Sequence, residues 1–537
     1  MKTKSPCFRT AIGIVLGCLA GVASAVGAEA APPGPRPGQI VIDPEHPQWL
    51  MRHGGKHLFL CGPGDPEEFL YLGTRNPDGT RDGDQVQRIR KLIEHGGNCI
   101  YMQIVRTHGG DAKGDRTHNP FIGSDPAKGL DPDILNQWEE WFTLMDRHNI
   151  LIYLFFYDDS ARIWNTGDLV GPEEKAFVET IVKKFKHHRN LIWVVGEESE
   201  ERYTTARVQA LAEAIRRADD RGHLIGNHHH SGTTFKAWRE GGALNHFSMQ
   251  LSATDDAAHA GAIEALQKAA GRYQVIYSES TAMRTDEEWM RRHAWAVAMG
   301  GLMPMLLRMD IASTPVESLR QCRYLQRFFE ATDFFRMASH DELRHGETRY
   351  VLADPGRSYI AYADNLAGPL GVKALPAGRC AVTWLDCISG RTVEEQHTLA
   401  RAGDHAFLKP SGFGPECAAW IRFPDVKVSS VARTVSTPAE RAPAQNQPPV
   451  VENQRLQTRP GAALYVQLKF ADDDGPGPYS YTIVNPPAHG TLSGDDNDRV
   501  YTPKPGFPGT DRFTWKVHDG VAESETATVM ITVTDIQ

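Results

Sequence analysis

Between about residues 57 and 336 the chain alternates short apolar runs with segments of helical periodicity. The runs are rich in Ile, Val, Leu and aromatic residues without polar–apolar alternation, as is typical of parallel strands buried on both faces. They span residues 57–62, 98–105, 150–157, 191–196, 223–227, 246–250, 274–278 and 302–307. Eight strand–helix units in about 280 residues match the size of a (β/α)8 TIM barrel. An open doubly wound sheet is the rival fold, but no G-x-G-x-x-G motif follows the first run.

After residue 336 the pattern changes to short alternating stretches separated by Gly and Pro turns, which predicts a small antiparallel β domain over 337–425. Residues 426–449 hold Ser, Thr and Pro with few large apolar side chains, as expected of a linker. Strand patterns return over 450–537. We therefore predict an α/β barrel domain over 31–336 followed by two β-sandwich-like domains.

The first thirty residues have the layout of a secretory signal. Lys2, Lys4 and Arg9 precede an apolar run at 11–22, and small-residue cleavage patterns follow it. We expect a protein that is secreted, periplasmic or held at the cell surface. Lipoprotein processing at Cys18 is the alternative form of export.

Net charge and cysteine content indicate which kinds of partner and which cell compartment to expect. The formal net charge is −9 with no long basic run, which argues against a nucleic-acid binder. An oxidising compartment permits disulfides, and the sequence favours one within the group Cys380, Cys387 and Cys417.

Reactive side chains of a (β/α)8 barrel project from the carboxyl ends of its strands, so polar residues that follow the apolar runs are the candidates. Acids, amides and basic groups in this position suit a ligand rich in hydroxyl groups. The residues at these run ends include Asp65, Arg106, Asp158, Glu197, Glu198, Gln250, Glu279 and Arg308.

Glu198 and Glu279 follow the fourth and seventh runs, which lie across the barrel mouth from each other. Hydrolysis of a glycosidic bond with retention needs one carboxyl that protonates the leaving oxygen and a second that attacks the sugar carbon. The alternative is structural, because acids at strand ends also form salt bridges and cap helices. Position alone leaves the choice open.

The segment Trp193-Val194-Val195-Gly196-Glu197-Glu198 resembles the W-x-x-G-N-E signature of clan A glycoside hydrolases. The wider pattern resembles the apiosidase-like branch, a barrel often followed by a collagen-binding-like domain. Residues 40–425 carry this resemblance through further short motifs, namely 60–65, 96–100, 190–193, 229–232 and 247–250.

The resemblance implies that Glu198 is the acid/base and Glu279 the nucleophile. Glu197 stands where clan A has an Asn that binds the sugar 2-hydroxyl, and it is itself an alternative acid. Apiosidase-like members often carry Gly-Asp here, so the pair departs from both patterns. The negative charge of Glu197 would raise the proton affinity of Glu198.

The histidine run 228–230 also suggests a metal site, because alternate residues of a strand share a face. The first strand lacks the H-x-H of metal-dependent amidohydrolases, so we expect no required cofactor. His229 matches a His of the resembling family, which implies that it lines the sugar site, and a buried structural role is the alternative. Trp164 lies in a loop where it could stack on a sugar ring. The predicted substrate-binding residues are Asp65, Arg106, Asp158, Trp164, Glu197, His229, Gln250 and Arg308.

The C-terminal modules give weaker functional signals. Trp384, Asp386 and Gly390 resemble the hairpin of the collagen-binding-like domain, and we expect this sandwich to pack on the barrel. Residues 448–537 resemble bacterial cadherin-like or Ig-like modules, which act as spacers or adhesion units. The acidic turn at 472–475 offers oxygen ligands for calcium.

The sequence thus predicts an exported retaining glycoside hydrolase that acts on a plant or algal polysaccharide. Its partner is a carbohydrate, with cell-surface or matrix contact through the β modules. The alternative is a noncatalytic surface protein that uses a degenerate barrel to bind glycans or to adhere.

Overall fold

The computed structural model describes residues 34–65, 68–106, 117–159, 161, 163–164, 166–281, 284, 286–423, 446, 448–471, 480–493, 498–519 and 521–534. The predicted signal at 1–30, most of the predicted linker and the acidic turn at 472–475 lie outside these residues. No helix among them is long and apolar enough to cross a membrane.

Six parallel strands form the centre of the first domain, in the order β3-β4-β5-β6-β7-β8. Every residue of β3, β4 and β5 is buried, which explains their unbroken apolar sequences. A short antiparallel hairpin, β1 (Ile40–Ile42) and β2 (Leu50–Arg52), precedes them. The six parallel strands are β3 (Cys99–Val105), β4 (Leu151–Tyr157), β5 (Leu191–Gly196), β6 (Ile225–His229), β7 (His246–Leu251) and β8 (Gln274–Ser280).

The first and eighth predicted runs close the barrel without being regular strands. The N–H of Gly62 donates to the carbonyl of Pro304 over 3.3 Å, and the N–H of Leu307 donates to the carbonyl of Gly62 over 3.0 Å. Met305 donates in turn to Tyr277 on β8, over 3.0 Å. Pro304, in the eighth run, lacks an N–H group and therefore cannot donate to a ladder, and it pairs with Tyr277 only through an isolated bridge. The predicted (β/α)8 TIM barrel is therefore confirmed.

One unit of the barrel has no helix. The connection between β6 and β7 is a loop in which Phe235 stacks on Phe247 at 4.7 Å, and Gly232, Gly241 and Gly242 interrupt any helical pattern. The helices are α1 (Gln85–His95), α2 (Pro132–Arg147), α3 (Pro172–Phe185), α4 (Thr205–Ala218), α5 (Asp255–Ala269), α6 (Glu287–Met299) and α7 (Val316–Glu330). Short 3-10 helices span Phe69–Tyr71, Ile122–Ser124, Pro126–Lys128, Ser199–Glu201, Phe334–Arg336 and Asp341–Leu343.

The second domain is a sandwich of two antiparallel sheets. A six-stranded sheet has the order β15-β14-β17-β12-β11-β9, and a three-stranded sheet has the order β10-β13-β16. The strands are β9 (Ala338–Ser339), β10 (Arg344–Gly346), β11 (Tyr350–Asp354), β12 (Ser358–Ala363), β13 (Leu370–Leu375), β14 (Gly378–Asp386), β15 (Thr392–Leu399), β16 (Gly403–Phe407) and β17 (Cys417–Arg422).

The larger sheet buries both of its faces. Val351 and Ala361 point into the sandwich, whereas Leu352, Ile360 and Tyr362 join the hydrophobic core of the barrel. The Tyr362 ring stacks on Trp295 of α6 at 4.9 Å. The sandwich therefore packs on the barrel through a continuous apolar contact.

A charged cluster crosses the same junction. The Glu416 side chain is only 1% exposed. It accepts hydrogen bonds from Nε and Nη2 of Arg291, each at 2.6 Å, and from Nε of Arg292 at 2.9 Å. Removing one partner of a buried ion pair leaves an uncompensated charge. The stability of the contact between the barrel and the sandwich therefore depends on the Glu416 carboxylate.

The third domain is a smaller sandwich around Trp515, Phe513 and Ile531. Its larger sheet has the order β19-β26-β25-β22, with β19 and β26 parallel, and its smaller sheet has the order β20-β24-β23. The strands are β18 (Val450–Val451), β19 (Gln454–Thr458), β20 (Leu464–Gln467), β21 (Phe470–Ala471), β22 (Ser480–Asn485), β23 (Gly490–Ser493), β24 (Asp498–Pro503), β25 (Gly509–His518) and β26 (Ala527–Val533).

The disulfide expected among Cys380, Cys387 and Cys417 is not formed, and these three residues are buried free thiols. Cys417 lies in the core of the sandwich, whereas Cys387 belongs to the core that faces the barrel. Cys380 lies near the far end of β14, about 20 Å along the strand from Cys387. The two faces and the strand length keep the thiols apart.

We predict that Glu416→Gln lowers the free energy of unfolding by about 3–5 kcal/mol, because it leaves Arg291 buried without a counter-charge. Urea unfolding of the full chain, followed by tryptophan fluorescence, measures this change. Glu317→Gln is the control, since its pair with Arg320 is about half exposed and should contribute less than about 1 kcal/mol. Equal effects of the two variants would contradict the assigned role of the junction.

Candidate active site

The two predicted catalytic glutamates meet at one amide group. Nε2 of Gln250 on β7 lies 3.2 Å from Oε2 of Glu279 and within hydrogen-bonding distance of Oε1 of Glu198. Glu198 follows β5 and Glu279 lies in β8. Two oxygens that bond one nitrogen lie within about 6 Å of each other. The structure therefore brings Glu198, Glu279 and Gln250 together at the mouth of the barrel.

A bulge in β8 directs Glu279 toward this point. Met249 pairs with Tyr277 and Gln250 pairs with Glu279, so Ser278 is an extra residue between two aligned pairs. In a regular strand Gln250 would pair with Ser278, and Glu279 would be in register with Leu251 instead. Bulges next to active sites often redirect a side chain in this way.

Glu198 has a left-handed backbone conformation, with φ 37° and ψ 41°. For a residue other than glycine this conformation costs about 1–3 kcal/mol and persists only where its surroundings hold it. The Glu198 N–H donates to Nδ1 of His228 over 3.4 Å, and its carboxylate accepts from Gln250. The first contact holds the backbone against β6, and the second holds the carboxylate toward β7.

The pKa of Glu198 is raised above its ordinary value, first because the carboxyl is half-buried. The negative charges of Glu201 and Asp159 raise the pKa further, while His230 and the bond from Gln250 oppose the shift. The carboxylate oxygens of Asp159, Glu198 and Glu201 lie within 4.8 Å of one another. Such a group favours either a proton on Glu198 or a bound cation.

Glu197 occupies a different environment from its neighbour. Its Oε1 accepts from the Tyr101 hydroxyl over 2.7 Å and its Oε2 accepts from Nε2 of Gln103 over 2.6 Å. Tyr101 and Gln103 are alternate residues of β3 and are both buried. Each oxygen of this carboxylate therefore has a donor supplied by the barrel itself.

The neighbouring histidines His228 and His229 of the run 228–230 lie on opposite faces of β6. His228 points into the barrel, where Nδ1 lies 3.2 Å from the Tyr101 hydroxyl, and burial lowers its pKa to about 3. His229 points to the other side, against Phe235 and Phe247, and burial likewise lowers its pKa to about 3. The structure thus places His228 beside Glu198, and His229 in an aromatic cluster away from it.

Asp65 and Arg308 lie where the ends of the first and eighth runs meet. Asp65 accepts from Nη1 of Arg88 at 3.0 Å and from the N–H of Ile311 at 2.7 Å. Burial raises the pKa of Asp65 to about 7, against the opposing charge of Arg88. Asp65, Arg88 and Asp310 line a shared cavity on this side of the barrel.

Arg106 and Asp158 follow neighbouring strands and are both buried. Their charges act in opposite directions on the pKa of the Tyr71 hydroxyl. Trp164 is half-buried and packs against Phe121 and Phe177, at 5.8 and 5.4 Å between ring centres. This contact fixes the indole in the loop after β4.

Two groups among the described residues have three side chains placed to hold a metal ion, namely Asp159, Glu198 and Glu201, and Glu139, His187 and His188. Neither His228 nor His230 belongs to them. The metal site that the sequence suggested on one face of β6 is therefore not assembled within the described residues.

Tyr101 and Gln103, which form an inner polar layer with His228, were not predicted from the sequence. Both lie inside the run 98–105, which is rich in apolar residues, and neither stands at its carboxyl end. The usable signal was two-residue alternation: Tyr101 and Gln103 share one face of β3.

Residues 83–301 match the apiosidase-like catalytic domain, and residues 446–532 match the bacterial Ig domain. No curated protein matches the chain. A glycoside hydrolase family 5 structure from Bacteroides vulgatus ATCC 8482 superposes with a TM-score of 0.54 at 14% identity, covering 74% of this chain and 95% of that one. A second glycoside hydrolase superposes with a TM-score of 0.53 at 15% identity, covering 73% and 98%. The chain therefore shares its barrel fold with these structures, and it contains regions that match the apiosidase-like catalytic domain and the bacterial Ig domain.

We predict that Asp159→Asn lowers the pKa of Glu198, because it removes a neighbouring negative charge. A carbon-13 NMR titration of the glutamate carboxyls measures this, with the Glu198 signal assigned from its loss in Glu198→Gln. Glu264→Gln on α5 is the control, since Glu264 pairs with Lys268 outside this site. An unchanged titration in Asp159→Asn would show that the two carboxyls do not interact.

Proposed function

We propose that this protein is a retaining glycoside hydrolase in which Glu279 is the nucleophile and Glu198 is the general acid/base. The observation that carries the proposal is the shared hydrogen-bond donor, Nε2 of Gln250, between the two carboxylates. The barrel fold and the apiosidase-like domain support the reaction class.

The spacing supports retention over inversion. Retaining enzymes place their two carboxyl groups about 5–5.5 Å apart, whereas inverting enzymes need about 6.5–9.5 Å to admit a water molecule. Oxygens that share one nitrogen lie within about 6 Å, which is below the inverting range. Glu279 is therefore close enough to attack the sugar carbon directly.

The reaction takes place in two displacements. A carboxylate oxygen of Glu279 bonds to the anomeric carbon while the glycosidic C–O bond breaks, and Glu198 gives its proton to the departing oxygen. Water then attacks the same carbon, Glu198 takes a proton from it, and the bond to Glu279 breaks. The free enzyme is restored and the configuration is retained.

The electrostatics of the site suit these roles. Glu198 must hold a proton at the start of the reaction, and burial together with Asp159 and Glu201 raises its pKa. Glu279 must be ionised, and it accepts a hydrogen bond from the neutral amide of Gln250. Unequal proton affinities of two nearby carboxyls are the usual basis for separate acid and nucleophile roles.

Glu197 is the weaker candidate for the acid. Tyr101 and Gln103 already donate to its two oxygens, and such bonds stabilise the ionised form of a carboxylate. In clan A enzymes an Asn at this position binds a hydroxyl group of the sugar. The Glu197 oxygens are instead bonded to Tyr101 and Gln103 from within the barrel. We therefore assign Glu197 a positioning role beneath the reacting groups.

The substrate we propose is a plant or algal polysaccharide, met outside the cell after export through the signal at 1–30. Asp65, Arg106, Asp158 and Arg308 would bind its hydroxyl groups around the barrel mouth, with Trp164 against a ring. No cofactor is needed for this chemistry. The Ig-like module would contact a cell surface or matrix, and its acidic turn at 472–475 would be the place for calcium.

We predict that Glu279→Gln lowers kcat by at least about 10³-fold, because an amide cannot form the covalent intermediate. Hydrolysis of a panel of aryl glycosides and polysaccharides measures this, and proton NMR reports the anomer formed first. Glu264→Gln should retain full activity. Turnover that survives in Glu279→Gln, or a first product of inverted configuration, would overturn the assignment.

Glu198→Ala should respond differently to the leaving group. Aryl glycosides with acidic phenols need little protonation, so their hydrolysis should fall less than that of polysaccharides.

Azide should restore turnover and give a glycosyl azide of retained configuration with Glu198→Ala, and of inverted configuration with Glu279→Ala. If Glu197→Ala gave the rescue expected of Glu198→Ala, the acid would be Glu197. Retained glycan binding with no turnover in the unaltered protein would favour the noncatalytic alternative.

We also predict the pH dependence of kcat/KM. Activity should fall as pH rises through the pKa of Glu198, because the carboxyl then loses the proton that it must donate. Asp159→Asn removes a charge that raises this pKa, so the fall should begin at lower pH. A basic limb that stays in place in this variant would show that another group controls it.

A further inference from the structure

A second cluster of ligand-type side chains lies at the opposite end of the barrel from the catalytic mouth. Glu139 projects from α2, and His187 and His188 lie in the turn that joins α3 to the start of β5. One ligand atom from each residue lies within 4.8 Å of the other two. We propose that Glu139, His187 and His188 form a binding site for a zinc-like divalent cation.

The ligand chemistry and spacing fit such an ion. Two imidazoles and one carboxylate are a common zinc ligand set, usually completed by a water molecule. Ligand atoms at about 2.0–2.1 Å from a tetrahedral ion lie about 3.4 Å apart. Nε2 of His188 lies 3.4 Å from Oε1 of Glu139, and Nε2 of His187 lies 2.8 Å from the same oxygen. A small movement of the half-exposed His187 ring would open the shorter distance.

The surroundings orient these ligands. Nδ1 of His187 lies 3.0 Å from the carbonyl of Lys184, so it carries a proton and donates to that oxygen. In the neutral ring this leaves the lone pair on Nε2, which faces the cluster. A bond from the second ring nitrogen to a carbonyl is the usual support of a metal-bound histidine. Thr143 donates to Oε1 of Glu139 over 3.2 Å and supports the third ligand.

His188 gives the second, independent indication. Its side chain is only 2% exposed, and Nε2 makes no well-aligned hydrogen bond, although it lies 3.4 Å from Oε1 of Glu139. Oε2 of Glu139 is likewise buried without a partner. Buried polar atoms left unpaired cost free energy, and a bound cation would satisfy both at once. A proton shared between His187 and Glu139, without a cation, would leave Nε2 of His188 and Oε2 of Glu139 unpaired.

The site would stabilise the barrel rather than act in catalysis. An ion bound by all three residues ties α2 to the α3–β5 turn on the face that is remote from Glu198 and Glu279. Zinc should raise the Tm of the full chain by about 3–5 °C at saturating concentration. This expectation does not depend on the proposed hydrolase reaction, and kcat should not change.

Thermal unfolding with and without zinc tests the proposal, together with zinc stoichiometry by elemental analysis after dialysis. Glu139→Gln and His187→Gln should each abolish the rise in Tm and the bound zinc. His187 is 43% exposed, so its variant should fold without zinc even if Glu139→Gln does not. His148→Gln, at an exposed histidine, and Glu201→Gln, in the acidic group near Glu198, are controls that should retain both effects.

Four outcomes would overturn the proposal. Equal zinc affinity in His187→Gln, or loss of zinc in Glu201→Gln, would locate the ion elsewhere. A Tm that rises only on lowering the pH to about 6, and not with zinc, would identify a protonated histidine pair. An equal rise with magnesium would exclude a site built on imidazole nitrogens.

Discussion

One amide nitrogen, Nε2 of Gln250, bonds two carboxylates that come from opposite sides of a closed barrel. This contact requires that β5, β7 and β8 end at the same level and that their last side chains turn inward. It also requires the backbone of Glu198 to adopt a conformation that costs free energy. The chemistry we propose depends on this convergence more than on the identity of either glutamate alone.

An inner layer of buried polar residues supports Glu197 and Glu198 through hydrogen bonds. Tyr101, Gln103 and His228 form this layer and bond to Glu197 or to the backbone of Glu198. His228 is neutral in this layer, because burial lowers its pKa to about 3. The layer holds the Glu197 carboxylate beneath the reacting groups, while the charges that raise the pKa of Glu198 are those of Glu201 and Asp159.

The fold was largely predictable because parallel strands buried on both faces leave a strong signal in composition. The positions of Glu198, Glu279 and Gln250 followed from one rule, that the carboxyl ends of barrel strands meet at one rim. The side that a residue faces was less predictable. His228 and His229 are adjacent in sequence, and only the register of β6 decides which of them reaches Glu198. The interrupted strands at Pro63 and Pro304 and the loop between β6 and β7 depend on tertiary hydrogen bonds and aromatic packing that local patterns do not contain.

The extra residue Ser278 gives the seventh strand of the barrel a property that the other strands lack. The half of β8 before Ser278 keeps the pairing that holds the barrel closed, while the half after it follows the opposite parity. Removal of Ser278 would join Tyr277 directly to Glu279 and leave Glu279 opposite Gln250 in an unbroken ladder. The bulge therefore changes how the Glu279 side chain is presented at the rim, while the pairing with Gln250 decides which side of the wall it faces.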